Sequence, residues 1–134
     1  MKKTNFRVVR NTDEKMKCDG KAVVFIKSRK ADHKIHAAAA EMIKMAESLN
    51  LEVTDVIVDE SANLDIDRAE ITKLCQMVEV PETVMIIVTS VFDFTDDVDD
   101  LLKFMEMLMN HPVMVVDTSH HITWSPEDSE LDED

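Results

Sequence analysis

Four short apolar runs separated by three stretches of helical spacing constrain the fold of this chain more than any other feature. KAVVFIK (21–27), LEVTDVIVDE (51–60), TVMIIVTS (83–90) and PVMVVD (112–117) are rich in β-branched residues. They run apolar with little strict alternation, which is the pattern of strands covered on both faces. Between the first two, Ile35, Ala38, Ala39, Met42, Met45, Ala46 and Leu49 recur at helical spacing behind Asp32, a residue suited to an N-cap. A second helix is expected from a cap at Asp65 or Asp67 through Val78, with Ile71, Leu74, Cys75 and Val78 inward. A third covers about 95–109 behind Thr95, and Asp96, Asp97, Asp99 and Asp100 in its first turns suit the positive end of the helix dipole. HHITW (120–124) reads as a fifth strand, and NFRVVRN (5–11) as either an edge strand or a loose arm. The order β-α-β-α-β-α-β implies an α/β fold. It is a three-layer αβα arrangement around a mainly parallel four- to five-stranded sheet with right-handed crossovers.

The 134 residues are enough for one domain with a proper core. The expected division is an arm or edge strand over 1–20, the α/β domain over 21–124 and an acidic, disordered tail over 125–134. Acids outnumber bases 28 to 15, a formal charge of −13. SPEDSELDED, the last ten residues, holds six acids and no base, which leaves −7 on residues 1–124. Duplex DNA binders normally present a basic stripe that displaces counterions, and none is visible. No apolar run approaches the roughly 18 residues of a membrane span. MKKTNFRVVRN lacks the apolar stretch of a secretion signal. A cytoplasmic protein away from membranes is expected, with Cys18 and Cys75 reduced rather than bridged.

In parallel sheets, ligands sit beyond the carboxyl ends of the strands. That draws attention to Ser28-Arg29-Lys30, Asp59-Glu60-Ser61, Thr89-Ser90 and Asp117-Thr118-Ser119. With Gly20 as the one glycine, neither a dinucleotide fingerprint nor a P-loop can form, and no cofactor is expected. His33 with His36, and His120 with His121, lack the three or four convergent ligands a metal needs, so no metal site is expected. The DDVDD run (96–100) reads as a solvated face rather than a cation site. Met42 and Met45 on the first helix, and Met105, Met107 and Met109 on the third, read as pliable core filler. A helix N-terminus near Ser28 offers phosphate a generic site, and Lys27, Arg29 and Arg68 at the strand ends are the residues that would hold an anionic ligand.

Taken together, the pieces resemble the N-terminal catalytic domain of the serine recombinases, the resolvase/invertase family. That family opens on a strand ending Y-x-R-x-S; here the stretch is Phe25-Ile26-Lys27-Ser28-Arg29. The aromatic position is kept, lysine stands for arginine, and Arg29 stands at the serine nucleophile. After the second strand the family shows D-x-x-S-G and then D-R-x-x-L. This chain has Asp59-Glu60-Ser61-Ala62-Asn63 and then Asp67-Arg68-Ala69-Glu70-Ile71. Asp59 and Arg68 match, while Ala62 and Asn63 replace the serine-glycine pair. The later L-D-R-L-x-R is matched by Val91-Phe92-Asp93-Phe94-Thr95-Asp96, with aspartates at both arginine positions.

The resemblance spans roughly residues 21–122. It implies a resolvase-like fold, and for intact members an enzyme that cuts and rejoins DNA through a phosphoserine link. The departures point elsewhere for this chain. Two anions stand where cations would stabilise phosphoryl oxygens, and one missing transition-state donor alone costs about 3–4 kcal/mol. Ser28 lies one residue from the nucleophile position, and strand alternation aims it at the opposite face unless the strand end twists. Family members continue into a long helix and a DNA-binding domain, whereas SPEDSELDED is neither apolar-periodic nor basic. The expectation is a degenerate, non-catalytic interaction or regulatory module, bound to another protein or to itself, and reaching DNA only through another protein. Two alternatives stay open. One is a DNA-processing enzyme using Ser28 with Lys27, Arg68 and Asp59; the other is a binder of a small anion at Lys27, Arg29 and Arg68.

Overall fold

The computed structural model describes residues 6–10, 20–28 and 32–126. Among the described residues, six strands form one sheet: β1 (Phe6–Arg10), β2 (Gly20–Lys27), β3 (Leu51–Asp59), β4 (Thr83–Val88), β5 (Met114–Asp117) and β6 (Ile122–Pro126). Their order is β1-β6-β5-β4-β2-β3. The run β5-β4-β2-β3 is parallel, and β6 pairs antiparallel with both β5 and β1. The strand count exceeds the expected four to five because Phe6–Arg10 is an edge strand on β6, with Val8 opposite Trp124. β6 carries Ser125 and Pro126, so the strand passes the expected domain boundary at 124. The rest of the acidic tail, like Cys18 and Arg29, lies outside the described residues.

Among the described residues, three α-helices cover the sheet, α1 (Asp32–Ser48), α2 (Ala69–Val78) and α3 (Val98–Asn110). α1 packs on one face, where Ile35, Met42 and Ala46 meet Ala22, Val24, Ile26, Met85, Ile87 and Val116. α2 and α3 pack on the other, where Ile71, Leu74, Val78, Leu101, Phe104, Met105 and Leu108 meet Val23, Phe25, Ile86, Val88 and Val115. Alternate residues of β2 therefore enter separate cores, which is why the strand reads as an unbroken apolar run. Each large aliphatic or aromatic side chain withdrawn from water contributes about 1.5–3 kcal/mol. The methionines serve as filler: Met42, Met105 and Met109 are buried, and Met45 and Met107 pack partly buried beside them.

Two helix starts differ from expectation. α2 begins at Ala69 behind Arg68, whose extended backbone (φ −98°, ψ 165°) makes it the cap residue without a side-chain capping bond. Asp65 and Asp67 belong instead to the preceding loop. α3 begins at Val98 because Asp97, not Thr95, is the cap: its carboxylate accepts the Asp100 N–H at 3.0 Å. Thr95 Oγ1 accepts the Asp97 N–H just before it.

Among the described residues no helix is long and apolar enough to cross a membrane.

The connections decide where a ligand would sit. The chain leaves β2 toward β3 by way of α1 on one face. It then returns across β2 to β4 by way of α2 on the other. Strand order thus reverses between β2 and β4. In open α/β sheets the crevice beyond the carboxyl ends at such a switch point is the usual binding place.

Candidate functional site

At that crevice the loops after β2, β3 and β4 converge on Asp59, the last residue of β3. Its carboxylate is fully buried and accepts hydrogen bonds from three residues. The Ser61 N–H and Ser61 Oγ donate to Oδ1, both at 3.0 Å. Arg68 Nε donates to Oδ2 at 2.7 Å and Lys27 Nζ to Oδ2 at 3.2 Å. The Ser28 N–H, which donates to the Asp59 carbonyl at 3.0 Å, ties the ends of β2 and β3. Burial pushes the Asp59 carboxyl up, but the Ser61, Arg68 and Lys27 hydrogen bonds outweigh it and hold it below the ordinary carboxylate value.

The two cations are closely held. Lys27 Nζ spends its other two protons on the carbonyls of Ser61 (2.6 Å) and Asn63 (2.8 Å). Arg68 Nη1 donates to the carbonyls of Asp65 (2.8 Å) and Phe94 (2.7 Å), and Nη2 to that of Asp93 (2.7 Å). The Arg68 side chain is 4% exposed and that of Lys27 12%. Arg68 thereby staples three segments: the end of β3, its own loop, and the turn after β4.

The loop from Asp59 to Arg68 is built by a chain of short-range bonds. The Ser61 N–H is accepted by Asp59, that of Asn63 by Ser61 Oγ, that of Asp65 by Asn63 Oδ1, and that of Asp67 by Asp65 Oδ1. Every second residue is one whose short polar side chain accepts from the backbone two residues on, so the loop needs no glycine.

Beyond β4 a single 3-10 turn, Val91–Asp93, starts from Ser90, whose Oγ accepts the Phe92 N–H. Its Val91 N–H is accepted by the buried Asp117 at the end of β5, at 3.1 Å. Asp117 also accepts from the His120 N–H and lies 2.9–3.0 Å from His120 Nδ1. Ser119 Oγ approaches that same nitrogen at 3.2 Å. A serine-histidine-aspartate relay needs serine and carboxylate on opposite ring nitrogens, so these residues form a turn rather than a relay.

A cleft of about 320 Å³ opens between these loops, lined by Lys27, Ser28, Ser61, Ala62, Leu64, Phe92 and Asp93. Ser28 is past the last strand residue, so alternation no longer governs it. It shares the cleft with Lys27 instead of facing away. Asp93 is partly buried, and its carboxyl is raised by burial, with the Asp117 charge adding to the effect. A Ser90 backbone bond and the charges of Lys27 and Arg68 oppose the rise. Phe92 stands half exposed beside the ring of His120. Phe94, two residues on, is fully buried and packs edge-on against Phe25 and Phe104.

Among the described residues no group of three or more His, Cys, Asp or Glu is placed to hold a metal ion. His33 and His36 are exposed on α1.

Comparison with solved structures bears on this arrangement. The N-terminal catalytic domain of TP901-1 integrase superposes with a TM-score of 0.65 at 14% identity, over 75% of this chain and 79% of that one. The C-terminal catalytic domain of ISC1926 TnpA, an IS607-like serine recombinase, gives 0.59 at 18% identity, over 71% and 67%. The fold is that of a serine recombinase catalytic domain. No family model matches the chain, and no curated protein does.

Of the positions that carried the resemblance to the resolvase-like domain, Lys27, Asp59 and Arg68 meet directly, and Ser28 and Asp93 line the adjoining cleft. Asp96 is exposed, and Arg29 lies outside the described residues. Sequence reasoning marked Ser61 and Asp117 as strand-end residues without the hydrogen bonds that build the site around them, and it gave Phe92 no role. The alternating D-x-S-x-N-x-D-x-D of residues 59–67 is the signal that marks the first. Nothing in the sequence distinguishes exposed Phe92 from buried Phe94.

Proposed function

We propose that this chain is a resolvase-like domain that does not cut or rejoin DNA and acts as a non-catalytic interaction or regulatory module. The observation that carries the reading is the state of the cations at the crevice. All three protons of Lys27 and four of the five N–H groups of Arg68 are engaged with Asp59 and backbone carbonyls. Among the described residues, a phosphodiester entering the cleft would meet the Asp93 carboxylate and two cations already engaged, and phosphoryl transfer depends on available donors. The reading takes 20–126 together with the edge strand Phe6–Arg10 as the working domain, followed by an acidic tail. It places the protein in the cytoplasm with a protein partner or a second copy, and without a cofactor. As an anion site Lys27 and Arg68 are poor, because an incoming ligand would have to displace Asp59.

A second reading has one observation in its favour: Ser28 lines the same cleft as Lys27. There the Ser28 oxygen would lose its proton and attack a phosphodiester phosphorus. The bond to the leaving deoxyribose oxygen would break, and that oxygen would take up a proton. One experiment separates the two. A labelled duplex is titrated with protein at low and then moderate salt, followed by anisotropy, and the products are run on a denaturing gel. The non-catalytic reading expects no nicked or protein-linked strand at either salt. Strand cleavage that disappears in Ser28→Ala would replace it with the enzyme reading. Binding without cleavage, lost steeply as salt rises, would mean a basic face outside the crevice.

A further inference from the structure

We propose that the cleft beyond β2, β3 and β4 seats an arginine side chain of a basic protein partner, its guanidinium laid against Phe92 and paired with Asp93. The inference rests on the interaction-module reading and gives that partner a chemistry.

Three observations converge. Phe25, Phe94 and Phe104 are 0%, 0% and 6% exposed, whereas Phe92 is left 50% exposed at the mouth of the cleft. An aromatic face in that position attracts a cation through its quadrupole. The second observation is the wall itself. Lys27 and Arg68 direct their hydrogen bonds to Asp59 and to carbonyls, that of Asp93 among them, so the Asp93 carboxylate lines the cleft with no salt bridge to either. In a partly desolvated place, a charge pair is worth more than in bulk water. The third is the surrounding charge. Residues 59–67 hold four acids and no base, and residues 93–100 hold five acids and no base. Lys27 and Arg68 are the lysine and arginine among the described residues of the crevice. Such a field steers a basic segment toward the cleft.

The chemistry selects arginine over lysine. A guanidinium is planar and weakly hydrated, stacks on a ring and forks onto a carboxylate, while an ammonium is a strongly hydrated point charge. The volume, about 320 Å³, is at the small end of ligand sites, suited to one long side chain rather than a folded segment.

The probe is a fluorescein-labelled peptide of alternating arginine and glycine, titrated with the full chain near physiological salt and followed by anisotropy. Matched peptides carry citrulline or lysine in place of arginine. The variants are Phe92→Ala and Asp93→Asn. Asp99→Asn is the control, because it removes the same charge from an exposed position on α3 outside the cleft. Thermal melts establish that each variant is folded. The arginine peptide should bind, citrulline should abolish binding and lysine should weaken it. Phe92→Ala and Asp93→Asn should each weaken binding by about three- to tenfold, and Asp99→Asn by less than about twofold. Equal affinities for the parent protein and Phe92→Ala, or equal losses in Asp93→Asn and Asp99→Asn, would reduce the effect to long-range charge and overturn the assignment. So would displacement of the peptide by inorganic phosphate at matched ionic strength. Absence of peptide binding overturns the cleft assignment and leaves the non-catalytic reading standing; strand cleavage in the duplex assay overturns that reading instead.

Discussion

Asp59 and Arg68 illustrate how a pair of residues that resembles an enzyme family's motif can hold a fold together. A carboxylate with no exposed surface is costly unless its lone pairs are used, and here two cations and two donors of Ser61 use them. Arg68→Met would strand that charge with Lys27 as its one remaining cation and release the carbonyls of Asp65, Asp93 and Phe94. The expected loss is roughly 3–5 kcal/mol of stability by denaturant titration. The same change made on an Asp59→Asn background should cost less, because no buried charge is then abandoned. An equal cost in both backgrounds would mean that the carbonyl contacts, not the ion pair, carry the effect. Phe94 is the other residue on which the site rests. It is held between Phe25 and Phe104 with ring centroids 5.4 and 5.1 Å away, and its carbonyl receives Arg68. Core packing and site geometry are therefore coupled through one residue.

At the level of elements, the start of β2 is the point of least tolerance. Gly20 holds φ +137°, and a Cβ there would stand 2.9 Å from the Glu82 carbonyl oxygen and 3.1 Å from a Val84 methyl carbon. Thr83 pairs with Lys21 and Met85 with Ala22, so Val84 is an extra residue in the register, and its side chain comes to lie over Gly20. The neighbouring Lys21 N–H donates to that same Glu82 oxygen, so the loop cannot simply draw back. Gly20→Ala should cost about 1–3 kcal/mol, seen as a lowered Tm in a thermal melt. An unchanged Tm would mean that the approach of Glu82 and Val84 is softer than its geometry implies. The strands and the inner faces of the helices were legible because two-sided burial leaves continuous apolar runs and helical burial leaves a 3.6-residue stripe. The starts of α2 and α3 were not, since several acids compete for each cap and only tertiary contacts choose among them. Arg68 must stay extended to reach Asp59, Phe94 and Asp93, and that delays α2 beyond Asp67. The same limit applies to the site. Asp59 and Arg68 could be picked out by their match to the resolvase-like motif, but the engagement of Lys27 with two carbonyls depends on a loop path that no local pattern states.

For the whole molecule, charge and topology act against each other. The switch point gathers the carboxyl ends of three strands and the acid-rich loops that follow them, in a chain of formal charge −13. Self-repulsion of this kind lowers stability and is relieved by salt. Asp59 and Asp93 titrate in opposite senses. The Asp59 carboxyl is more acidic folded than unfolded, so the stability it brings is complete above the ordinary value of 3.8 and fades as pH falls through its lower folded value. The Asp93 carboxyl binds its proton more tightly in the fold, so its contribution is complete below 3.8 and is lost as pH rises through its raised folded value. Going down from neutral pH, the molecule should first gain stability, as Asp93 takes up a proton and net charge falls, and then lose it once Asp59 begins to protonate. Thermal melts from about pH 3 to about pH 8 should therefore peak on the acidic side of neutrality and above 3.8. Asp93→Asn should raise Tm near neutral pH and flatten the rise toward the peak. Added salt should raise Tm more at neutral pH than at the peak, where less charge remains to be screened. A Tm that instead climbs steadily to neutral pH, unchanged in Asp93→Asn, would mean that paired carboxylates such as Asp59 dominate and that repulsion at the strand ends is already dissipated by solvent.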